Sequence, residues 1–510
     1  MKNYPNTITQ KLISINDLCI KLKKLRKNKI ALCHGTFDIV HPGHIRHLLY
    51  AKEKTDILIV SITKDKFVKK SSDGPYVPED LRLRNLAFLE IVDYVILDEY
   101  PKPLNLISKI KPNYFFKGFE YSKNNIHPNT KEEIKALKKF GGELLFSPAD
   151  TVYSSTALQK INKPNIGREK LISLMDSENI DFEDIYKTID SFKGLKIHVI
   201  GDIIVDKYNS CSIVGATTKT PTFSIKKMSS TTYIGGAGIV ARHLKALGAD
   251  VTLTSVLGDD KLGKFVIKEM KSWGIKSNFF LDNTRCTTLK ERYWANNYKL
   301  IQVDTVDNHN LSADLVNKIK KKVTDIKSKA VIFSDFRHGI FNSENIESIS
   351  KKIKKNVMKI ADSQVSNRWG NILDYKKFDL ILPNEKEARF ALADQDIPLR
   401  QLGTNLIKKS KSKFLILKLG SKGIMVFKKN GLHAREFFPI ETFAENIVDG
   451  VGAGDAMLAG SSMGLICTKN ILISSIIGNA AAALVCKKSG NNPISINELI
   501  SEIKKISTIA

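Results

Sequence analysis

The sequence predicts two successive α/β domains, each built on a parallel sheet. Three observations carry that prediction. Short apolar runs alternate with longer amphipathic runs, the βαβ rhythm of a parallel sheet. The rhythm starts twice, each time with a strand that leads into a glycine-bearing turn: KIALCHGTFDIVHPGH and, later, LKIHVIGDIIVDKY. The chain has 510 residues, which at roughly 100–200 per domain leaves room for two large units.

The elements follow in order. Leu12, Ile15, Leu18, Leu22 and Leu25 share one helical face, so residues 9–27 read as an amphipathic lead-in helix. Lys29–Cys33 is the first strand, followed by strand patterns at 57–62 (ILIVSI), 94–98 (YVILD) and 143–147 (ELLFS). Asn162–Gly194 is polar, contains Pro164 and Gly167, and shows helix-like pieces but no strand. It reads as a linker with one or two short helices. The expected domains are therefore 1–160 and 193–510, with 161–192 between them. The second domain opens with the strand Lys196–Ile200 and repeats the rhythm at 251–258, 330–335, 379–384 and 414–420. The stretch 217–234 is β-rich and reads as a lid. Ile471–Cys486 is strongly apolar but carries Ser474, Ser475 and Asn479. It is short for a membrane helix and is expected to be buried in the protein.

Composition excludes several classes. Lys+Arg number 80 against 53 Asp+Glu, a net charge of +27. Such a charge invites a nucleic-acid reading. However, the excess is spread along the chain, +10 in residues 1–160 and +17 in the rest, with no basic arm or tail. It is also mostly Lys, 67 against 13 Arg, which reads as a solvated background. The six cysteines stand singly with no CxxC pair, so neither a zinc site nor a disulfide framework is expected. MKNYPNTITQ is no secretory signal. The expectation is a soluble, cytoplasmic protein that binds neither nucleic acid nor membrane.

The first chemical site is Gly35-Thr36-Phe37-Asp38 followed by His41-Pro42-Gly43-His44. Glycines let the backbone approach a phosphate. The helix after the loop offers N–H groups and a positive dipole end. Two imidazoles across Pro-Gly can donate to phosphoryl oxygens as charge builds. No protein nucleophile is needed, because the substrate phosphate attacks.

The second site lies in three pieces: Gly235-Gly236-Ala237-Gly238, PNEKEA at 383–388, and VDGVGAGDAMLAG at 448–460. Gly452, Ala453 and Gly454 open a helix whose N–H groups form an anion hole. Asp455 at that helix start can take the proton of an attacking hydroxyl. Asn384 and Glu387, at i and i+3, can hold a hydrated Mg2+ over nucleotide phosphates. No GxxxxGK[ST] loop is present.

The first site resembles the nucleotidyltransferases with the HxGH signature, over about residues 9–160. The resemblance implies a Rossmann-like domain in which His41 and His44 stabilise the transition state. It assigns phosphate or nucleotide contacts to Thr36, Phe37, Lys70, Arg82, Ser155 and Thr156. An Arg that many members carry before the Ser/Thr cluster is absent here, as in the branch that acts on sugar phosphates; ATP against CTP stays open. The second half resembles the ribokinase-like (PfkB) sugar kinases over residues 195–510. That implies a three-layer α/β kinase with a small β lid, and a homodimer through the lid. Sugar contacts then fall on Asp206, Gly235, Gly236 and Asp335. A substrate phosphate falls to Lys290 and Arg292, and Gly420 and Gly423 lie near the nucleotide. Three positions depart from the family pattern: Ile239 stands where an Asn is usual, Gly450-Val451 where Thr is common, and His338 where a Lys is frequent. Together the halves resemble the bifunctional heptose kinase/nucleotidyltransferases of ADP-heptose synthesis, with the domain order inverted. The resemblance implies phosphorylation of a sugar phosphate, with heptose 7-phosphate foremost, and nucleotidyl transfer to a sugar 1-phosphate, with Mg2+ and ATP as cofactors. Two alternatives stay open. One is a cytidylyltransferase for a polyol or sugar phosphate beside a kinase for another carbohydrate. The other replaces that kinase with a non-catalytic regulatory domain.

Overall fold

The computed structural model describes residues 9–25, 27–68, 75–118, 128–147, 167–216, 222–295, 298–324, 327–364, 370–428, 436–445 and 447–508. The chain divides into two compact units, Met1–Asn179 and Ile180–Ala510.

The first unit carries a parallel five-stranded sheet in the order β3-β2-β1-β4-β5. Its strands are β1 (Ile30–Gly35), β2 (Ile57–Thr63), β3 (Tyr94–Asp98), β4 (Tyr114–Lys117) and β5 (Glu143–Phe146). Register runs from Ile30 opposite Ile57 to Gly35 opposite Ile62, and Ala31 faces Tyr114 on the other side. Alternate residues of β1 feed separate cores on the two faces: Ala31 and Cys33 on one, Ile30 and Leu32 on the other. The strand order reverses at β1/β4, and in such sheets ligands sit in the crevice at the carboxyl ends there.

The lead-in helix is shorter than its apolar periodicity predicts. α1 spans Ile15–Lys24, because the Ser14 hydroxyl accepts the Asp17 N–H and caps it. Leu12 instead forms a bridge to Val95, with Lys11 and Ile13 hydrogen-bonded to that residue. α2 (Pro42–Glu53) follows β1, α3 (Glu79–Ala87) leads into β3, and α4 (Leu104–Ile110) and α5 (Pro128–Lys138) flank β4. The segment read as a linker contains two helices, α6 (Gly167–Ser177) in the first unit and α7 (Phe182–Asp190) in the second.

The second unit is built on a nine-stranded sheet, ordered β10-β9-β6-β13-β14-β15-β16-β17-β18. Its parallel part comprises β6 (Lys196–Gly201), β9 (Asp250–Gly258), β10 (Lys276–Asp282), β13 (Ala330–Asp335), β14 (Met358–Ser363), β15 (Leu380–Ile381) and β16 (Phe414–Lys418). β17 (Ile424–Lys428) and β18 (Phe437–Ile440) close one edge antiparallel. DLILPN yields only the two residues of β15, since Pro383 has no N–H for a ladder and Asn384 caps the next helix.

A large apolar cluster, including Val331, Phe333, Ile381, Leu415 and Phe427, fills one side of this sheet. The helices α8 (Ala237–Ala246), α14 (Ala453–Thr468) and α15 (Ile471–Cys486) follow later stretches of the chain, and α15 is buried along almost its whole length. α14 and α15 pack so closely that a Cβ on Gly478 would overlap the Ser461 hydroxyl. Between α8 and α14 lie α9 (Lys261–Ser272), α10 (Ala313–Thr324), α11 (Ser343–Ser350), α12 (Glu385–Leu392) and α13 (Leu399–Ser410); α16 (Ile496–Thr508) ends the described chain. No helix among the described residues is long and apolar enough to cross a membrane.

A separate four-stranded sheet, β12-β11-β7-β8, forms the lid. It is larger than the 217–234 stretch suggests. β7 (Ile203–Ala216) and β8 (Phe223–Gly236) make one long hairpin, and β11 (Leu289–Ala295) and β12 (Tyr298–Thr305) add a second. Residues 217–221 lie outside the described residues.

Candidate active sites

In the first unit the site forms where β1 hands over to α2. His41 is the N-cap of α2, its ring Nδ1 accepting the Gly43 N–H at 3.1 Å, and Pro42 occupies the first helical position. This cap turns the His41 ring onto that of His44. Their centroids lie 3.9 Å apart and nearly parallel. Phe37 packs against His44 at 5.0 Å and holds a left-handed backbone, φ 47°. Asp38 accepts the N–H groups of Tyr76 and Val77 at 2.9 and 2.7 Å and so pins the opposite loop. An open depression of about 490 Å3, lined by Val40, His41, Pro42, Ile45 and Arg46, lies beside His41.

Arg82 has a different place from the one its resemblance suggests. It is fully buried, with Nε on Val77 O and the other nitrogens on Thr36 O, Thr63 O and Asp65. It braces the Thr36 turn rather than reaching toward a nucleotide. Lys70, Ser155 and Thr156 lie outside the described residues. His34, which the sequence reading passed over, sits at the end of β1 between Ser61 and Thr63. Burial, with the Lys117 charge, pushes its pKa down to about 4. Its position directly before GTFD was the available signal.

In the second unit Gly452 caps α14 with φ 84°, a conformation that suits glycine. Among the described residues, the first-turn N–H groups of Gly454 and Asp455 meet no protein acceptor, which leaves them able to receive an anion. The Asp455 carboxyl is pushed up to about 8, first by burial and then by the charge of Asp362, with Lys418 opposing. That is the range of a general base working near neutral pH.

Asn384 and Glu387 form a reciprocal capping box at the start of α12. The Asn384 side chain accepts the Glu387 N–H at 2.8 Å, and the Glu387 carboxylate accepts the Asn384 N–H at 2.7 Å. A bridge between Asn384 and Lys418 sets this helix start beside β16. Gly420 and Gly423 both have positive φ in the turn from β16 to β17, and a Cβ on Gly423 would overlap Ile440 O.

Asp206 lies on β7, buried, and both of its oxygens are engaged. Arg292 from β11 pairs with one, and Asn491 Nδ2 donates to the other at 2.6 Å. A Cβ on Gly235 would overlap that second oxygen, and a Cβ on Gly452 would lie 2.6 Å from Asn491 Oδ1. Gly236, at φ 58°, would overlap Asp202 O in the same way. The glycines therefore let Asp206, Asn491 and the anion-hole turn converge. Lys290 stands half-buried in register with Asp206, and its charge acts on both Asp206 and Asp455. Asp335 is elsewhere. It is buried under Arg337, Ser363 and Tyr375, each within 2.9 Å, and serves the core rather than a ligand. Ile239 is fully buried and His338 bonds Thr288.

In the second unit, four residues escaped the sequence reading: Tyr208, Asp449, Lys418 and Asn491. Tyr208 stacks on Trp294 and its hydroxyl donates a hydrogen bond to Asp449 at 3.2 Å, which ties the lid to the GAGD turn. Lys418 was visible as a lone cation ending the apolar run FLIL.

The comparisons follow this geometry. The cytidylyltransferase-like family matches residues 32–161, and the pfkB carbohydrate kinase family matches residues 196–497. "Bifunctional protein HldE" of Campylobacter jejuni (strain RM1221) is 32% identical over 319 residues, 60% of this chain and 64% of that protein. Its namesake in Helicobacter pylori (strain J99) is 32% identical over 314 residues, 60% and 65% of the two chains. The chain thus spans just under two thirds of the curated relatives it matches. Phosphofructokinase-2 from Escherichia coli, solved with substrates and products, shares the fold at TM-score 0.52 and 16% identity, across 61% of this chain and 100% of that one. With a match running from the first strand of the nine-stranded sheet into its final helix, over more than half of all residues, the chain belongs to the pfkB family of carbohydrate kinases.

Proposed function

We propose that the chain is a bifunctional enzyme that makes a nucleotide-activated sugar. The second unit phosphorylates a sugar phosphate, heptose 7-phosphate at its anomeric hydroxyl being the leading candidate. The first unit joins a sugar 1-phosphate to a nucleotide from ATP, releasing pyrophosphate. The observation that carries this reading is the presence, in one chain, of a buried carboxyl at an open helix start and of a stacked histidine pair at another.

In the kinase, Asp455 takes the proton of the acceptor hydroxyl as that oxygen attacks the γ-phosphorus. The N–H groups of Gly454 and Asp455 receive the phosphoryl oxygens. Lys290 is placed for the substrate's own phosphate, whereas Arg292 is committed to Asp206. Among the described residues no three acidic or histidine groups gather into a metal cage. Glu387 and Asn384 at the start of α12 would meet a nucleotide-bound Mg2+ through its waters, and the ion would neutralise phosphate charge. In the transferase, His41 and His44 donate to the phosphate that changes partners. The lid leaves Ile213, Val214, Met228 and Ile301 exposed, which supports a homodimer through this sheet.

A coupled screen of sugar phosphates with ATP and CTP tests the reading. Kinase turnover should vanish in Asp455→Asn and pyrophosphate release in His44→Ala. Failure of either variant to affect its own reaction would overturn the site assignment. The match to cytidylyltransferase-like proteins keeps a CTP-dependent transferase as the second reading. A clear preference for CTP would select it.

A further inference from the structure

Lys418 is an unusual residue to find at the mouth of an anion hole. It ends β16, a strand otherwise buried and apolar. Its side chain is only 14% exposed, and its ammonium makes a bidentate pair with Asp362 at the end of β14, at 2.8 and 2.7 Å. A Cβ built on Gly454 would lie 3.6 Å from Lys418 Nζ, so the cation stands over the turn that opens α14 with only the space of a missing side chain between them. Three carboxylates from three elements act on it: Asp362 of β14, Glu387 of α12 and Asp455 of α14. A buried ion pair alone adds little stability, because desolvation offsets the attraction. Holding a cation at this one spot is what the pair achieves.

We propose that Lys418 is a catalytic residue of the kinase unit, whose ammonium contacts the γ-phosphoryl group of the bound nucleotide, with Asp362 as the positioning residue that aims it. The inference rests on the kinase reading given above. In the transfer, the acceptor oxygen bonds to the γ-phosphorus and its proton passes to Asp455. The P–O bond to ADP breaks, and the electron pair leaves with ADP. Lys418 stays protonated throughout and meets the charge that gathers on the equatorial oxygens. Arriving phosphate also gives the ammonium a second anion, so its pairing with Asp362 need not break. Lys418 has a further effect on the base. Asp455 is faced by Asp362 and Asp206, which hold its proton on, and by Lys418 and Lys290, which draw it off. Removing Lys418 shifts that balance toward the protonated, inactive carboxyl.

The test uses the full chain with Lys418→Met, Lys418→Arg and the double variant Asp362→Asn/Lys418→Met. Calorimetry measures Mg2+-dependent binding of the non-hydrolysable β,γ-imido analogue of ATP and of ADP. In Lys418→Met the preference for the triphosphate should fall at least about tenfold, while ADP binding holds. Turnover should drop about 100-fold. The acidic limb of the pH–rate profile should move to higher pH, and Lys418→Arg should recover part of each loss. The double variant leaves no unpaired buried charge, so it guards against mere misfolding. If it melts like the wild type yet still lacks triphosphate preference, the proposal stands. If it regains wild-type preference and rate, the pair is structural and the proposal falls. A wild type that phosphorylates no sugar phosphate, yet prefers the triphosphate through Lys418, sinks the kinase reading instead. An active wild type whose preference ignores Lys418 sinks only this inference.

Discussion

Asp455 is the residue on which the proposed chemistry of the second unit turns, and its proton makes it testable twice. A folded-state pKa of about 8, raised by burial, means the folded chain holds a proton the unfolded chain has released. The stability contributed is fully present below the ordinary carboxyl range and is lost as pH rises through about 8. Asp455→Asn should therefore melt above the wild type at pH 9, while the two differ less at pH 5, by calorimetry. The same substitution should cost roughly 100- to 10,000-fold in turnover. Wild-type kcat/KM should rise with pH up to about 8. Arg82 offers the opposite kind of prediction. Arg82→Met leaves Asp65 and three carbonyls without their donor, and should destabilise the first unit by about 3–5 kcal/mol in urea unfolding. At this scale the motifs were legible where adjacent residues carry the function, as in HPGH and GAGD. They were not legible where partners lie far apart. Asp335 and Arg82 read as ligand contacts from local pattern, yet most of their partners arrive from other loops and strand ends. Lys418 and Asn491 read as nothing, because only folding sets them beside Gly454 and Asp206.

The elements show how local chemistry sets their lengths. Ser14 shortens a helix that apolar spacing alone would begin at residue 9, and Pro383 shortens a strand that hydrophobicity would extend. The parallel strands were readable because a strand buried on both faces is a continuous apolar run. The lid was only partly readable. β11 and β12 are half-exposed and polar, so their pairing depends on register with β7 more than on any pattern of their own. The lid's single described hydroxyl tie, from Tyr208 to Asp449, yields a prediction at this scale. Tyr208→Phe keeps the stack on Trp294 and loses one hydrogen bond of about 1 kcal/mol. The KM for the sugar phosphate should rise roughly threefold to tenfold, with the melting temperature of the unit little changed.

For the whole molecule, each unit holds a complete sheet and its own site, divided at Asn179/Ile180. Two activities should separate cleanly. His44→Ala should abolish pyrophosphate release and leave kinase turnover within twofold, and Asp455→Asn should do the reverse; either variant silencing both would show that the two sites depend on one another. Within the +27 charge, the buried cations Arg82, Arg292 and Lys418 are each matched to a carboxylate. Domain count and sheet class were legible because βαβ periodicity repeats over long stretches. The nucleotide end of the first unit was legible only as motif, with Lys70, Ser155 and Thr156 outside the described residues.

The bond between Asn491 and Asp206 joins positions 285 residues apart. It carries a consequence for biosynthesis. A ribosome releases the five strands of the first unit by residue 146, so that sheet can pair while the remainder is still being translated. The Asp206–Asn491 pair has no such head start. Its carboxylate emerges early in the second unit, but the amide that anchors it follows every strand of the nine-stranded sheet. On the proposed reading, a nascent chain could complete its first site well before its second, and the second would close only after Asn491 has been made and released.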